Sequence, residues 1–177
     1  MVCLPGDLKL SQSLEQIIRV NHAGEFGAKR IYAGQMLVLK GPEDQQLLKN
    51  MAAQEEVHLE YFTQEMQKAK IRPSVLLPVW NVLGYALGAG TALLGKTSAM
   101  VCTEAVEEVI NEHYKSQLKD EQLPKDLASN IEKFRQEELE HQDIAENNRG
   151  ELNIGHKILY NAIKLGCKIS IEIAKRF

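Results

Sequence analysis

AAQEEVHLEYF (52–62) and FRQEELEHQDIA (134–145) carry the same short pattern, a glutamate followed three residues later by a histidine. In the first the pair is Glu55 and His58; in the second it is Glu138 and His141. A lone glutamate precedes each at nearly equal distance: Glu25 stands 30 residues before Glu55, and Glu107 stands 31 before Glu138. Residues three apart lie on one face of a helix, so each pair can grip one ion. Carboxylate oxygen suits hard cations, and imidazole moves the preference toward iron, manganese or zinc.

Outward from these residues the apolar pattern has a helical period. The stretch from Glu43 to Ala69 buries Leu48, Met51, Glu55, His58, Phe62 and Met66, which selects Glu55 over the adjacent Glu56. The stretch from Lys125 to Asn147 buries Leu127, Ile131, Phe134, Glu138, His141 and Ala145, which selects Glu138 over Glu137. A first helix capped by Ser11 or Ser13 and ending near Lys40 carries Ile18, Glu25, Tyr32 and Leu39 on one side. A further helix, Ser98 to Asp120, carries Met100, Thr103, Glu107, Ile110, Tyr114 and Leu118, which selects Glu107 over Glu108. Residues 1–10, with Pro5 and Gly6, form a loose lead-in.

The turns set the depth of each acidic residue. Glu25 lies 16 residues before Gly41 and Glu55 13 after Pro42, about 24 and 20 Å along their helices. Glu107 lies 13 before Asp120 and Glu138 14 after Pro124, about 20 and 21 Å. Two antiparallel hairpins joined by a long crossover therefore bring four carboxylates and two imidazoles to one level. Two carboxylates about 4 Å apart repel by roughly 4 kcal/mol at an effective dielectric of 20. Two divalent cations balance four carboxylates, and one does not. Taken singly, a glutamate in an apolar stripe is more often a misjudged helix face; the repetition is what chance does not readily supply. The expected fold is all-α: a ferritin-like four-helix bundle of the di-iron and di-manganese carboxylate type, with an added C-terminal helix.

With 177 residues, 44% of them apolar, the chain is expected to be one domain, with its bundle over about 12–147, its crossover over about 70–97 and its last helix over about 154–175. A net charge of -3 and no basic patch argue against nucleic acid. Cys3, Cys102 and Cys167 are too few and too scattered for a disulfide framework, and no signal peptide is expected. Residues 73–95, PSVLLPVWNVLGYALGAGTALLG, carry no charge and are interrupted by Pro78 and several glycines. Three readings stay open: a buried crossover, a segment contacting a membrane or lining an apolar ligand site, and a true span. Trp80, Leu83 and Tyr85 are its candidate substrate contacts. The last helix is apolar over much of its circumference but bears Lys157, Lys164, Lys168, Lys175 and Arg176, which fits either closure of the bundle or an anionic membrane surface. His22 is a candidate seventh ligand or a residue just outside the ligands, His113 and Tyr114 are candidates to orient a ligand or steer a proton, and His156 is expected on the surface.

The stretches IIRVNHAGEFGAKRIYAGQ (17–35), RPSVLLPVWNVLGYALGAGTALLGK (72–96), AVEEVINEHY (105–114) and KFRQEELEHQDI (133–144) together resemble the demethoxyubiquinone hydroxylases of ubiquinone biosynthesis. The resemblance implies a di-iron monooxygenase that hydroxylates a polyprenylated methoxy-quinol with O2 and two external electrons, at the penultimate step of that synthesis. It places two iron ions on Glu25, Glu55, His58, Glu107, Glu138 and His141, bridged by Glu55 and Glu138, with His113 and Tyr114 just outside them. It implies peripheral attachment to an inner membrane, on the cytoplasmic face in a bacterium or the matrix face in a mitochondrion. NADH is a candidate electron donor, a homo-oligomer is expected, and some family members use a lipid-presenting partner protein. Gln16 and Lys168 stand where some relatives carry arginines implicated in engaging the nicotinamide reductant. On the same six ligands a quinol oxidase, a catalase or an iron-storage protein is the alternative.

Overall fold

The structure, a computed structural model, describes residues 12–176. Six helices and no strand make up these residues: α1 (Gln12–Val38), α2 (Pro42–Ala69), α3 (Leu77–Leu93), α4 (Lys96–Gln117), α5 (Lys125–Asn148) and α6 (Ile154–Ala174). The lead-in, Cys3 and the Ser11 cap lie outside the described residues, and Ser13 falls within α1 rather than ahead of it.

α1 and α2 form one hairpin and α4 and α5 the other. Pro42 opens α2 in its first turn, where a missing N–H costs nothing, and Glu43 and Asp44 beside it favour the positive end of the helix dipole. α2 ends on Lys70 in the left-handed conformation, φ 54°, with its N–H returned to the carbonyls of Met66 and Gln67. The buried residues of α2 and of α5 are the six expected for each. α4 departs from a single stripe: from Ser98 to Glu107 it is buried all round, because α1, α3, α5 and α6 all pack on it.

The crossover needs a correction. Pro78 and the glycines do not interrupt it; α3 is a regular helix that holds the proline in its first turn and lies along α1. A Cβ on Gly34 would run into the Tyr85 carbonyl, and one on Gly88 into that of Ile31, so these glycines let the two backbones close on each other. Among the described residues no helix is long and apolar enough to cross a membrane. α6 starts on a capping box in which the Asn153 side chain accepts from the His156 N–H and the His156 ring accepts from the Asn153 N–H. His156 is thus a half-buried capping residue at the helix start.

The core has layers along the bundle. Ile18, Phe62, Met66, Tyr114, Ile131 and Phe134 fill one end, and Tyr32, Leu48, Met51, Met100 and Ala145 fill the other. Between these apolar layers, on all four bundle helices, lies a layer of glutamates and histidines.

Candidate metal centre

Glu25, Glu55, His58, Glu107, Glu138 and His141 are all 0–1% exposed and meet in that middle layer. They divide into two groups of four that share two members: Glu25, Glu55, His58 and Glu138, and Glu55, Glu107, Glu138 and His141. Within each group one ligand atom from every residue lies within 4.8 Å of the others. His58 Nδ1 stands 3.1 Å from Glu138 Oε1 and 3.5 Å from Glu25 Oε2. His141 Nδ1 stands 3.1 Å from Glu55 Oε1 and 3.4 Å from Glu138 Oε2. Glu55 and Glu138 belong to both groups.

The orphaned atoms test whether cations fit. Glu25 Oε2, both oxygens of Glu55, Glu107 Oε2, both oxygens of Glu138, and Nδ1 of His58 and His141 are buried without a hydrogen-bond partner. Buried polar atoms are rarely left so, and here they converge on one place. Oxygen and imidazole donors around two adjoining positions, in a closed apolar shell, suit a pair of iron or manganese ions.

The remaining atoms of the same side chains are held from outside. The Tyr32 hydroxyl donates to Glu107 Oε1 at 2.6 Å, and the Tyr114 hydroxyl donates to Glu25 Oε1. His58 Nε2 pairs with Glu137 Oε2 at 2.6 Å, and His141 Nε2 with Gln54 Oε1 at 2.7 Å. Each imidazole is therefore turned so that Nε2–H is engaged outward and the Nδ1 lone pair faces the cluster.

Electrostatics reflect the crowding. Burial, with the charges of Glu138 and Glu55, holds Glu25 and Glu107 well above the usual carboxylate range. Burial pushes the His58 and His141 rings down, but the facing carboxylates outweigh it and raise both above the ordinary imidazole value. Burial likewise pushes Glu138 up, and the facing His141 and His58 rings overcome it and carry it below its ordinary value. Without cations, protons take their place.

The neighbouring acids have other employment. Glu56 pairs with Lys29, and Glu108 with Lys164 at 2.7 Å and with Tyr160. His22 is buried with Nδ1 unpartnered, yet it belongs to neither group of four. His113 lies outside the cluster, against Gln117 Nε2 at 2.8 Å, and burial pushes it down to about 4, so it is neutral near pH 7. It lines a small cavity of about 250 Å³ and mixed polarity with Gln16, Ile17, Val20, Gln117, Asp120 and Lys175. Lys168 pairs with Glu112 at 2.9 Å. Burial raises the Cys102 thiol to about 12 and that of Cys167 to about 11, so both serve as packing residues.

A second cavity, about 530 Å³ and almost wholly apolar, is lined by chain neighbours of Glu25 and Glu107, though by none of the six ligand candidates themselves. Gly24, Gly27 and Ala28 beside Glu25, and Val106 and Ile110 beside Glu107, form one wall. Trp80 and Leu83 of α3 and Ile163 and Gly166 of α6 form others. Tyr85 is not among its lining residues; it packs instead under the Arg30 guanidinium, 5.0 Å from ring centre. Sequence reasoning did not reach Glu137, Gln54 or the hydroxyl of Tyr32. The signal was present: Gln54 and Glu137 each stand one residue before the shared glutamate, and Tyr32 and Tyr114 each stand seven after the lone one.

A four-helix bundle with a duplicated Glu, Glu-x-x-His core defines a ferritin-like di-metal carboxylate protein. The sequence model of the family described as "Ubiquinone biosynthesis protein COQ7" matches residues 12–174, and this chain belongs to that family. It is 47% identical over 169 residues to the human "NADPH-dependent 3-demethoxyubiquinone 3-hydroxylase, mitochondrial", covering 93% of this chain and 78% of that protein. It is 46% identical over 177 residues to the "3-demethoxyubiquinol 3-hydroxylase" of Rhodospirillum rubrum, covering 98% and 82%. To the "5-demethoxyubiquinone hydroxylase, mitochondrial" of Saccharomyces cerevisiae it is 38% identical over 182 residues, covering 92% and 78%.

Proposed function

We propose that this chain is a di-iron monooxygenase that hydroxylates demethoxyubiquinol, the role for which its relatives are named. The observation that carries the reading is the pairing of two overlapping four-ligand groups with an apolar cavity whose wall is built beside Glu25 and Glu107. The ligands are Glu25, Glu55, His58, Glu107, Glu138 and His141, with Glu55 and Glu138 common to both positions. Iron held there would supply O2 activation, with one oxygen atom going to the quinol ring, the other leaving as water, and two external electrons and two protons balancing the reaction. The human relative is named for NADPH, which makes a reduced nicotinamide the candidate donor in place of NADH alone.

This chain's residues prepare the site. Glu25 and Glu107 release their protons as cations enter, and the tyrosine hydroxyls keep one oxygen of each turned away from the centre. The cavity excludes water from the ring and is within the usual range for a small-molecule site. Trp80 and Leu83 touch the substrate in this reading. Tyr85 supports α3.

The polyprenyl tail explains the outer surface. Val75, Val79, Val82, Leu83 and Leu93 in and beside α3, and Ile154, Ile158, Leu165, Ile169 and Ile173 on α6, are exposed apolar residues. α3 and α6 do not pack on each other, and the cavity lies between them. A protein resting this face on an inner membrane, without spanning it, would take the tail directly from the bilayer.

The test is a quinone extract from a host lacking this chain. Accumulation of the precursor without the ring hydroxyl, relieved by the wild-type gene and not by Glu138→Ala, is expected. An ordinary quinone pool contradicts the reading, and turnover of O2 or peroxide without ring hydroxylation would favour an oxidase or catalase.

A further inference from the structure

The two halves of the cluster match position for position except at one place. Glu25 answers to Glu107, Tyr32 to Tyr114, Glu55 to Glu138 and His58 to His141. The residue before each shared glutamate reaches across to the histidine of the opposite hairpin, at 2.6 Å from Glu137 to His58 and 2.7 Å from Gln54 to His141. Here the symmetry fails, because one partner is a carboxylate and the other a neutral amide. Glu137 is 23% exposed, with Lys133 Nζ 3.7 Å from its other oxygen, so its charge is held at the rim of the cluster.

We propose that Glu137 makes the two metal positions unequal: the position served by His58, Glu25, Glu55 and Glu138 binds more tightly and fills first. The inference rests on the two-metal reading above. A carboxylate accepting the Nε2–H forms a charge-assisted hydrogen bond, about twice as strong as one to an amide. It draws that proton outward and leaves Nδ1 a better donor to a cation. The arrangement also sets a carboxylate, with Lys133 beside it, behind His58 where His141 has a neutral amide. Exchanging such partners shifts metal affinity on the order of 10–100-fold. Glu137 touches no substrate and is a positioning residue.

The test is anaerobic titration of the metal-free full chain with cobalt(II) and with ferrous iron, followed by calorimetry and by the cobalt absorption bands. Two steps separated on the order of 10–100-fold are expected in the wild type. Glu137→Gln should weaken the first step by that factor and merge the two. Gln54→Glu should tighten the second and merge them from the other side. Glu107→Gln should keep the tight step and Glu25→Gln should lose it, which assigns the order. Helix content and the melting temperature of the metal-free Glu137→Gln protein should match the wild type. Two steps left unmoved by Glu137→Gln, or weakened equally, overturn the inference while the two-metal reading stands. Fewer than two ions in the wild type overturns both.

Discussion

The hydroxyl of Tyr32, on α1, donates to Oε1 of Glu107, on α4, at 2.6 Å. Tyr114, on α4, returns the same bond to Glu25, on α1. Burial and the Glu107 charge push the Tyr32 phenol well above its ordinary value, so it stays a donor. Each hairpin thus fixes the lone glutamate of the other, and Oε2 of both carboxylates is left facing the centre. Tyr32→Phe should keep the fold but weaken metal binding at the Glu107 position on the order of 10–100-fold. Competition with a chelator under anaerobic conditions measures it, and unchanged affinity would show the bond to be incidental.

Shared and unshared glutamates should fail differently. Glu138 belongs to both groups of four, and Glu107 to one. Glu138→Gln should cost both ions and Glu107→Gln mainly one, read as iron per chain after loading and desalting. Equal losses from the two variants would mean that the ligands are not shared as the distances suggest.

Stability should depend on pH with opposite sense in the two metal states. Glu25, Glu107, His58 and His141 all have folded values raised above their ordinary ones. Groups of that kind stabilise the fold below their unfolded pKa, and the contribution is lost as pH rises through the folded value. Glu138 is lowered and acts the other way, only in strong acid. The metal-free protein should therefore lose melting temperature from about pH 6.5 toward pH 9, the range over which His141, raised to about 9, gives up its proton. Metal binding displaces these protons, so the loaded protein should resist base and lose its advantage in acid. Thermal scans of both forms from pH 5 to 9 decide it.

Much of this was legible in the chain. The six buried residues of α2 and of α5 follow from helical spacing alone, because polar residues at core register stand out when the same interruption occurs twice. α3 was less legible: a glycine at a close helix crossing reads, in one dimension, like a glycine at a break. Helical register selects Glu138 over Glu137, and Glu137 is indeed partly exposed. A residue one step off the core face can still reach the histidine of a facing helix, and spacing along one helix does not say what faces it. Tyr85 was grouped with Trp80 and Leu83 by composition, but it points to Arg30 on α1.

Glycines of the two kinds should separate under mutation. A Cβ on Gly88 meets the Ile31 backbone, whereas a Cβ on Gly27, which lines the apolar cavity, meets nothing within 4 Å. Gly88→Ala should destabilise the protein by about 1–3 kcal/mol or more through overpacking. Gly27→Leu should leave the melting temperature level or higher, since mid-helix glycine costs roughly 1 kcal/mol, yet raise KM by occupying the ring's space. Unchanged KM in Gly27→Leu would place the substrate elsewhere.

The most direct measurement supplies demethoxyubiquinol, a reductant and isotopically labelled O2 to the purified chain, with and without iron. The account predicts one labelled oxygen in each product ring, formed by the iron-loaded protein alone. A ring without label, or full hydroxylation by the metal-free chain, would contradict it.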